Sequence, residues 1–407
     1  MLTEDAFCHL SESMSAHPTI RLKPREGRRV RAGAPWAFSN EIEMNAAAKA
    51  LKPGTVVNVA GDDGQVFGTG YFNPNSLIGV RLLDANPDVA PDAEFFVKRL
   101  ARACALRDAL HARPFYRLVH AEGDFLPGAT IDRFGDVCVV QITTAGMEGL
   151  QQPLLQALDQ IVSPTCVILR GDAPSRALEG LDSFVRAAKG EVSRVAVEEN
   201  GVRYFADLMG GQKTGWYYDQ RDNRAFMAHL ARGKSVLDAY CYTGGFALAA
   251  AASGAREIIA LDSSAPALAL AEESAAANGA GAACKFVKSD VFEELERLAA
   301  AKETFDIVIA DPPPFVKSRK DLEVGAKAYR KLARLGAIVA APNGFLFLAS
   351  CSHNIGPERF AQECAMGISR ANRRARLIRQ SGAGPDHPVH PMLPQSAYLK
   401  ALVFALD

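Results

Sequence analysis

The sequence predicts an α/β protein in which a doubly wound, parallel sheet fills the carboxyl-terminal half, behind a small β-barrel and a small α+β unit. Three observations predict it. From about residue 201 onward, short apolar runs alternate with helix-length segments, the pattern of strands joined by crossover helices. Residues 18–90 instead read as short strands between Gly, Pro, Asn and Asp turns. The composition, 48% hydrophobic and 23% charged over 407 residues, is that of a chain with real cores. The length suits about two or three domains.

The elements follow in order. Val56, Val57 and Val59 end at the turn Gly61-Asp62-Asp63-Gly64; Val66–Phe72 follows, then the turn Asn73–Ser76 and the run Leu77–Leu83. An Asp- and Pro-rich loop at 84–92 closes this barrel. Phe95, Phe96, Leu100, Cys104 and Leu110 put one apolar face on a helix over 93–111. Strands fill 119–142 around the turn Asp132–Asp136, and a helix at 147–161 and strands at 165–170 and 194–198 complete the α+β unit. Strands are then expected at 235–238, 257–262, 284–287, 305–311 and 344–349, with helices at 246–253, up to Asn278, at 292–300 and at 323–339. The domains expected are 18–90, 91–200 and 201–407.

Charge and cysteine usage narrow the function. Lys+Arg and Asp+Glu are both 46, which excludes a uniformly cationic surface and leaves room for local basic patches. The eight cysteines (Cys8, Cys104, Cys138, Cys166, Cys241, Cys284, Cys351 and Cys364) form no CxxC pair, so neither a disulfide framework nor a zinc ribbon is expected. Buried, reduced thiols in a cytoplasmic protein are. Met1–Ala16 carries Glu4, Asp5 and Glu12 and lacks a signal-peptide core. The uncharged run Leu335–Ile355 is interrupted by Pro342, Asn343, Gly344 and Asn354, a poor membrane span.

Chemistry concentrates at predicted strand ends. Asp238 closes one strand, and the loop Tyr240-Cys241-Tyr242-Thr243-Gly244-Gly245 leads into a helix. Asp262 closes the next strand, where an acid accepts bonds from ribose hydroxyls. The loop lacks the GxGxxG arrangement that receives a pyrophosphate. An acid at the first strand end suits the cationic amino-acid portion of S-adenosylmethionine (SAM). Asp290, just after the third strand, can reach an adenine amine. Asp311-Pro312-Pro313-Pro314-Phe315 ends the fourth strand, where prolines stiffen the backbone around an acid able to hold a nucleobase edge. Cys351 ends the next, and a thiolate there is a nucleophile suited to C6 of a pyrimidine. The segment 210–224 reads as a lid over the cofactor, with Lys213 and Arg221 as charged handles and Thr214 and Asp219 grouped with them. Each motif also has a plain structural reading: an ordinary βα turn, a loop stop, a small buried thiol, a solvated helix start.

Arg21, Lys23, Arg25, Arg28, Arg29 and Arg31 face a single acid, Glu26, and precede Trp36; cations position phosphates and aromatics stack on bases. Lys317, Arg319 and Lys320 beside the Asp-Pro-Pro segment, and Arg370, Arg373, Arg374, Arg376 and Arg379, repeat the sign. A charged, solvated surface is the alternative. His387 and His390 have no acid or Cys set that would complete a metal site, so no metal is expected.

Together these residues resemble a known family, the RlmI-like large-subunit rRNA cytosine-C5 methyltransferases, over about residues 18–407. The most specific match is Lys213–Arg224; Arg28-Arg29 with Pro35–Ser39, Asp124–Gly135, Tyr242–Phe246, Asp311-Pro312-Pro313, Ser350-Cys351-Ser352, Asp386–Val389 and Tyr398–Lys400 fall in the expected order. The resemblance implies an RNA-binding PUA barrel, a small central domain and a Rossmann-like class I SAM-dependent methyltransferase domain. It implies RNA as partner, 23S rRNA foremost, without DNA or membrane, and a homodimer is compatible with it. Catalysis would rest on Cys351 and Asp311, and SAM on Lys213, Thr214, Asp219, Arg221, Asp238, Tyr240, Tyr242, Thr243, Gly244, Gly245, Asp262, Asp290 and Asp311. Pro314 and His353 depart from the family's common Lys and Gly. The rival readings are methylation of a base amine or ring nitrogen, and a non-catalytic RNA-binding assembly factor.

Overall fold

The computed structural model describes residues 17–212 and 214–407; Met1–Ala16, with Cys8, and Lys213 lie outside the described residues. The amino-terminal sheet takes β1 (Thr19–Arg21), β2 (Trp36–Ala37), β3 (Thr55–Ala60), β4 (Val66–Phe72) and β5 (Val80–Asp84) in the order β1-β3-β4-β5-β2. Alternation along β3 and β4 sends Val57, Val59 and Phe72 into a core with Ile20, Leu22, Ile42 and Val80. Gly68, at φ 138°, lies where a Cβ would stand 2.0 Å from the carbonyl of Asp84, so this crossing of β4 and β5 admits only glycine. Two short helices, α1 (Arg28–Arg31) and α2 (Ala46–Ala50), interrupt what the sequence pattern presents as all-β.

The helix expected over 93–111 is α3 (Ala93–Leu110), capped by Asp92, whose side chain accepts from Phe95 N at 3.0 Å. It packs on a sheet of β6 (Phe115–His120), β7 (Ala129–Phe134), β8 (Val137–Ile142), β9 (Cys166–Arg170) and β10 (Val185–Lys189). The helix expected at 147–161 forms in two pieces, α4 (Ala145–Gly149) and α5 (Gln151–Val162). The strand expected at 194–198 does not join this sheet. As β11 (Arg194–Glu199) it pairs with β12 (Val202–Asp207) in a separate hairpin. Its turn is Asn200-Gly201, both at positive φ (52° and 80°), which suits a two-residue hairpin. The boundary expected at 200 falls in that turn. The hairpin leans on the last domain, where Phe205 N donates to Ser274 Oγ at 3.0 Å.

That domain runs α6 (Arg221–His229), β13 (Ser235–Ala239), α7 (Gly245–Ala252), β14 (Glu257–Asp262), α8 (Ala265–Ala277), β15 (Cys284–Lys288), α9 (Val291–Ala301), β16 (Phe305–Ala310), α10 (Leu322–Val339), β17 (Ala340–Ser350), α11 (Pro357–Arg370), β18 (Ala375–Ser381) and β19 (Lys400–Leu406). The sheet order is β15-β14-β13-β16-β17-β19-β18. The first five strands of that order are parallel; β19 runs antiparallel to β17 and β18 antiparallel to β19. A wholly parallel sheet is thus corrected at one edge. The order reverses between β14 and β16 on either side of β13, the switch point where such sheets bind ligands.

Buried polar contacts join the units. Tyr71 Oη donates to the Pro127 carbonyl at 2.9 Å, and Asn73 and Ser76 donate to the Glu179 carboxylate at 2.9 and 2.8 Å. Arg107 binds Asp124 and also donates to the carbonyl of Asp386 at 2.8 Å. None of the seven described cysteines is in a disulfide. Among the described residues no helix is long and apolar enough to cross a membrane.

Candidate functional site

At the carboxyl ends of β13–β17 lies a cavity of about 570 Å³, within the range that holds cofactors. The β13–α7 loop forms its floor. Tyr240 (φ 66°) and Tyr242 (φ 50°) are left-handed without being glycine, and Gly244 (φ 80°) follows. Such residues cost about 1–3 kcal/mol each and persist only where surroundings hold them. Asp262 holds this loop: its Oδ2 accepts from Tyr242 N at 2.9 Å and its Oδ1 from Ser264 N at 2.8 Å. Each oxygen has a lone pair left for a ligand hydroxyl. Asp290 stands at the head of α9, and the rings of Tyr240, Phe292 and Phe315 form an aromatic wall beside it.

Asp238 lies beneath the loop rather than on the cavity surface. Its Oδ2 accepts from Ala247 N at 2.9 Å; its Oδ1 is buried without a hydrogen-bond partner, as is Thr243 Oγ1 on the loop above. Burial pushes the Asp238 carboxyl up to about 7, against the pull of the Ala247 N–H. A raised acid favours the folded state in full below its unfolded value, and that contribution fades as pH rises through the folded one. Relative to Asp238→Asn, wild-type protein without ligand is expected to lose stability as pH rises from about 4 to about 7. Denaturation of both at pH 5 and pH 8 checks this; a constant difference would show that the carboxyl titrates normally.

Beyond the ends of β16 and β17, on the other side of β13, Asp311, Pro312, Pro313, Pro314 and Cys351 also line the cavity. Asp311 Oδ2 accepts from Gln220 Nε2 at 2.9 Å; Gln220 Oε1 accepts from Asn223 Nδ2 at 2.6 Å, and Asn223 Oδ1 from Ser381 Oγ at 2.7 Å. This relay orients the Gln220 amide with its donor toward Asp311. The turn around Cys351 is anchored through Tyr329, whose hydroxyl accepts from Ser350 Oγ at 2.8 Å and lies 3.1 Å from Ser352 Oγ. Gln212, Trp216, Tyr217, Asp219, Gln220 and Arg224 roof the cavity, and Gln212 N donates to Tyr242 Oη at 3.1 Å.

The structure therefore brings Asp219, Tyr240, Tyr242, Thr243, Gly245, Asp262, Asp290, Asp311 and Cys351 around one cavity. Thr214 and Arg221 lie elsewhere. Thr214 is buried, its hydroxyl donating to Asp132 Oδ2 in the central domain. Arg221 turns toward Glu199, His111 and the carbonyl of Phe115. Gly244 packs under the loop against Ala271, and Lys213 is outside the described residues. The sequence reading missed Phe292 and the contributions of Gln220 and Arg224; the last two sit in the 210–224 segment, but only the fold turns them inward.

On the barrel Arg21, Lys23, Arg25, Arg28 and Arg31 are exposed, with Arg31 paired to Asp63 and Lys23 Nζ donating to the Asn40 carbonyl. Arg29 stacks on Phe38. Trp36 is half-buried: its Nε1 donates to Glu122 at 2.8 Å and Arg81 covers its ring, so it joins domains rather than offering an open stacking face. Lys317, Arg319 and Lys320 are exposed next to the proline wall. His387 pairs with Asp386 at 2.8 Å, and among the described residues no group of three or more His, Cys, Asp or Glu is placed to hold a metal.

The fit to SAM rests on this geometry: a carboxylate with spare acceptors, an aromatic wall beside a second acid, and two orphaned buried oxygens at the loop. A family model for S-adenosylmethionine-dependent methyltransferases matches residues 177–405, taking in the hairpin, and one for a PUA-like domain matches residues 20–85. The fold and site thus define a SAM-dependent methyltransferase with an amino-terminal PUA-like domain. Over 391 residues the chain is 37% identical to ribosomal RNA large subunit methyltransferase I of Shewanella denitrificans, covering 94% of this chain and 98% of that protein. It is 37% identical over 386 residues to the protein of the same name from Photobacterium profundum, covering 93% and 96%. A candidate SAM-dependent methyltransferase structure from Streptococcus mutans superposes with a TM-score of 0.81 at 23% identity, covering 95% of this chain and 100% of that one. The chain belongs to the ribosomal RNA large subunit methyltransferase I family.

Proposed function

We propose that this protein methylates C5 of a cytosine in large-subunit (23S) rRNA through a covalent adduct to Cys351. The observation that carries the reading is that Cys351 and Asp311, just beyond the neighbouring strands β17 and β16, line the same cavity as Asp262 at the end of β14 and Asp290 just beyond β15. When bound there SAM would supply an electrophilic methyl group; Asp262 would hold its ribose hydroxyls, Asp290 its adenine amine and the loop above Asp238 its amino-acid end. C5 of cytosine is too weak a nucleophile by itself. Cys351 as thiolate attacks C6; the S–C6 bond forms and the C5=C6 π pair moves to C5, which would take the methyl group as the sulfonium S–CH3 bond breaks, its electron pair staying on sulfur and S-adenosylhomocysteine leaving. Loss of the C5 proton then returns its electron pair to C5=C6 and expels the Cys351 thiolate. Asp311, held by Gln220, binds the N3/N4 edge of the base. The base must leave its stack or already lie in a loop to reach so recessed a thiol.

Mass mapping of 23S rRNA from cells with and without the gene tests the reading: one cytosine that is lighter by about 14 mass units (one CH₂) when the gene is absent, with the wild-type nucleoside co-eluting with 5-methylcytidine and not with its N-methyl isomers, supports it, and unchanged rRNA defeats it. Asp262→Ala is expected to weaken SAM binding by about 1–3 kcal/mol, the loss of hydrogen bonds to a charged acceptor. Calorimetry with unchanged affinity would reassign the ribose site.

The exposed barrel cations support RNA binding through phosphates. Replacing Arg21, Lys23, Arg25 and Arg28 together by alanine should flatten the slope of log affinity against log salt, by roughly 0.7–0.9 for each phosphate no longer neutralised. Filter binding across a salt series reads this, and an unchanged slope would make the patch a solvated face.

A further inference from the structure

The turn bearing Cys351 has a cation beneath it. β17 and β19 are antiparallel neighbours, with Ser350 paired to Lys400. That register brings Lys400 to the strand end, where its Nζ donates to the carbonyl of Ser352 at 2.5 Å. Lys400 is only 8% exposed, and among the described residues no carboxylate forms an ion pair with it. Burying an ammonium without a counter-charge is costly, and a carbonyl oxygen satisfies one donor without neutralising the charge. The acidic group in the same turn, between Ser350 and Ser352, is the thiol of Cys351.

We propose that Lys400 is a positioning residue whose ammonium is the counter-charge of the Cys351 thiolate, keeping the nucleophile in its reactive form near neutral pH. This rests on the reading of Cys351 as nucleophile. Burial draws the Lys400 ammonium down to about 8, and negative charge on Cys351 draws it back up. The coupling is reciprocal, so the ammonium must lower the thiol by the same interaction. Of the other ionisable groups near the thiol, His353 follows two positions along the same turn, exposed and with its ring centroid 5.4 Å from that of Tyr398, and the phenols supply no positive charge. Tyr217 on the roof, Tyr329 on α10 and Tyr398 ahead of β19 all interact with the thiol, and burial raises all three phenols, which leaves them neutral. Asp311, which also lines the cavity, is an acid and supplies no positive charge.

The test is the rate of Cys351 alkylation by iodoacetamide as a function of pH, read by peptide mass spectrometry on the full-length protein, with Cys351→Ala as blank. In wild type the midpoint should lie at least about one pH unit below the ordinary thiol value of about 8.5. Lys400→Met should raise the midpoint by about one unit or more, slowing alkylation roughly tenfold at neutral pH, and Lys400→Arg should restore most of it. A wild-type midpoint at or above the ordinary value overturns the proposal, and needs no variant to fold. So does an unmoved midpoint in a Lys400→Met protein that still binds SAM. Methylation surviving Cys351→Ala removes the nucleophile reading and this proposal with it; an unmoved midpoint removes this proposal alone.

Discussion

Cys351→Ala is expected to lose methylation by roughly a thousandfold or more, the scale on which removal of a covalent nucleophile acts. SAM affinity should stay near wild type. The thiol is half-buried at the cavity wall, and the turn that carries it is held by Ser350, Ser352 and Tyr329 rather than by sulfur contacts alone. Alanine therefore removes the reactive atom and little of the packing. Addition at C6 is a chemical requirement only for a carbon target; methylation of an amine needs no adduct. RNA carrying 5-fluorocytosine at the target should trap the wild type as a stable protein–RNA species, because fluorine cannot leave as the proton does. Turnover near wild type in Cys351→Ala, or an adduct on another cysteine, would instead favour methylation of an exocyclic amine or ring nitrogen.

Glu199→Ala should destabilise the protein by about 3–5 kcal/mol, the cost of leaving a buried charge without its partner. Glu199 ends β11, and both its oxygens bind Arg224, with Nε at 2.6 Å from Oε1 and Nη2 at 2.7 Å from Oε2. It also accepts from Trp216 Nε1 at 3.2 Å. Both Glu199 and Arg224 are buried, so water does not screen the pair. Arg224 lies over the Trp216 ring, and both roof the cavity. The same substitution should therefore also weaken SAM binding. Urea denaturation measures the first effect and calorimetry the second. A loss under about 1 kcal/mol would place this pair with ordinary surface salt bridges.

The alternation of strands and helices after 201 was legible because each buried strand is a short apolar run between polar turns. The elements from β13 to α10 match the sequence expectation to within a residue or two. The strand-end acids and Cys351 were legible for the same reason: in a parallel sheet the carboxyl end of every strand faces one side, so sequence position alone puts Asp262, Asp290, Asp311 and Cys351 in one neighbourhood. Beyond Ala349 the periodicity is weaker. β18 is a largely exposed edge strand rich in arginine, and nothing in its pattern announces an antiparallel strand.

What the tertiary structure decided was direction. Thr214 and Arg221 share a segment with Trp216, Asp219 and Gln220, yet they point to Asp132 and His111 while the others face the cavity. Within a short irregular segment no fixed period relates sequence position to face, so only contacts with distant elements choose the side. The same holds for Lys400, which lies 49 positions from Cys351 in the sequence. The antiparallel register of β17 and β19, which pairs Ser350 with Lys400, sets Lys400 beside the turn that carries Cys351, and a register between distant strands is fixed by their mutual pairing and packing rather than by either segment alone.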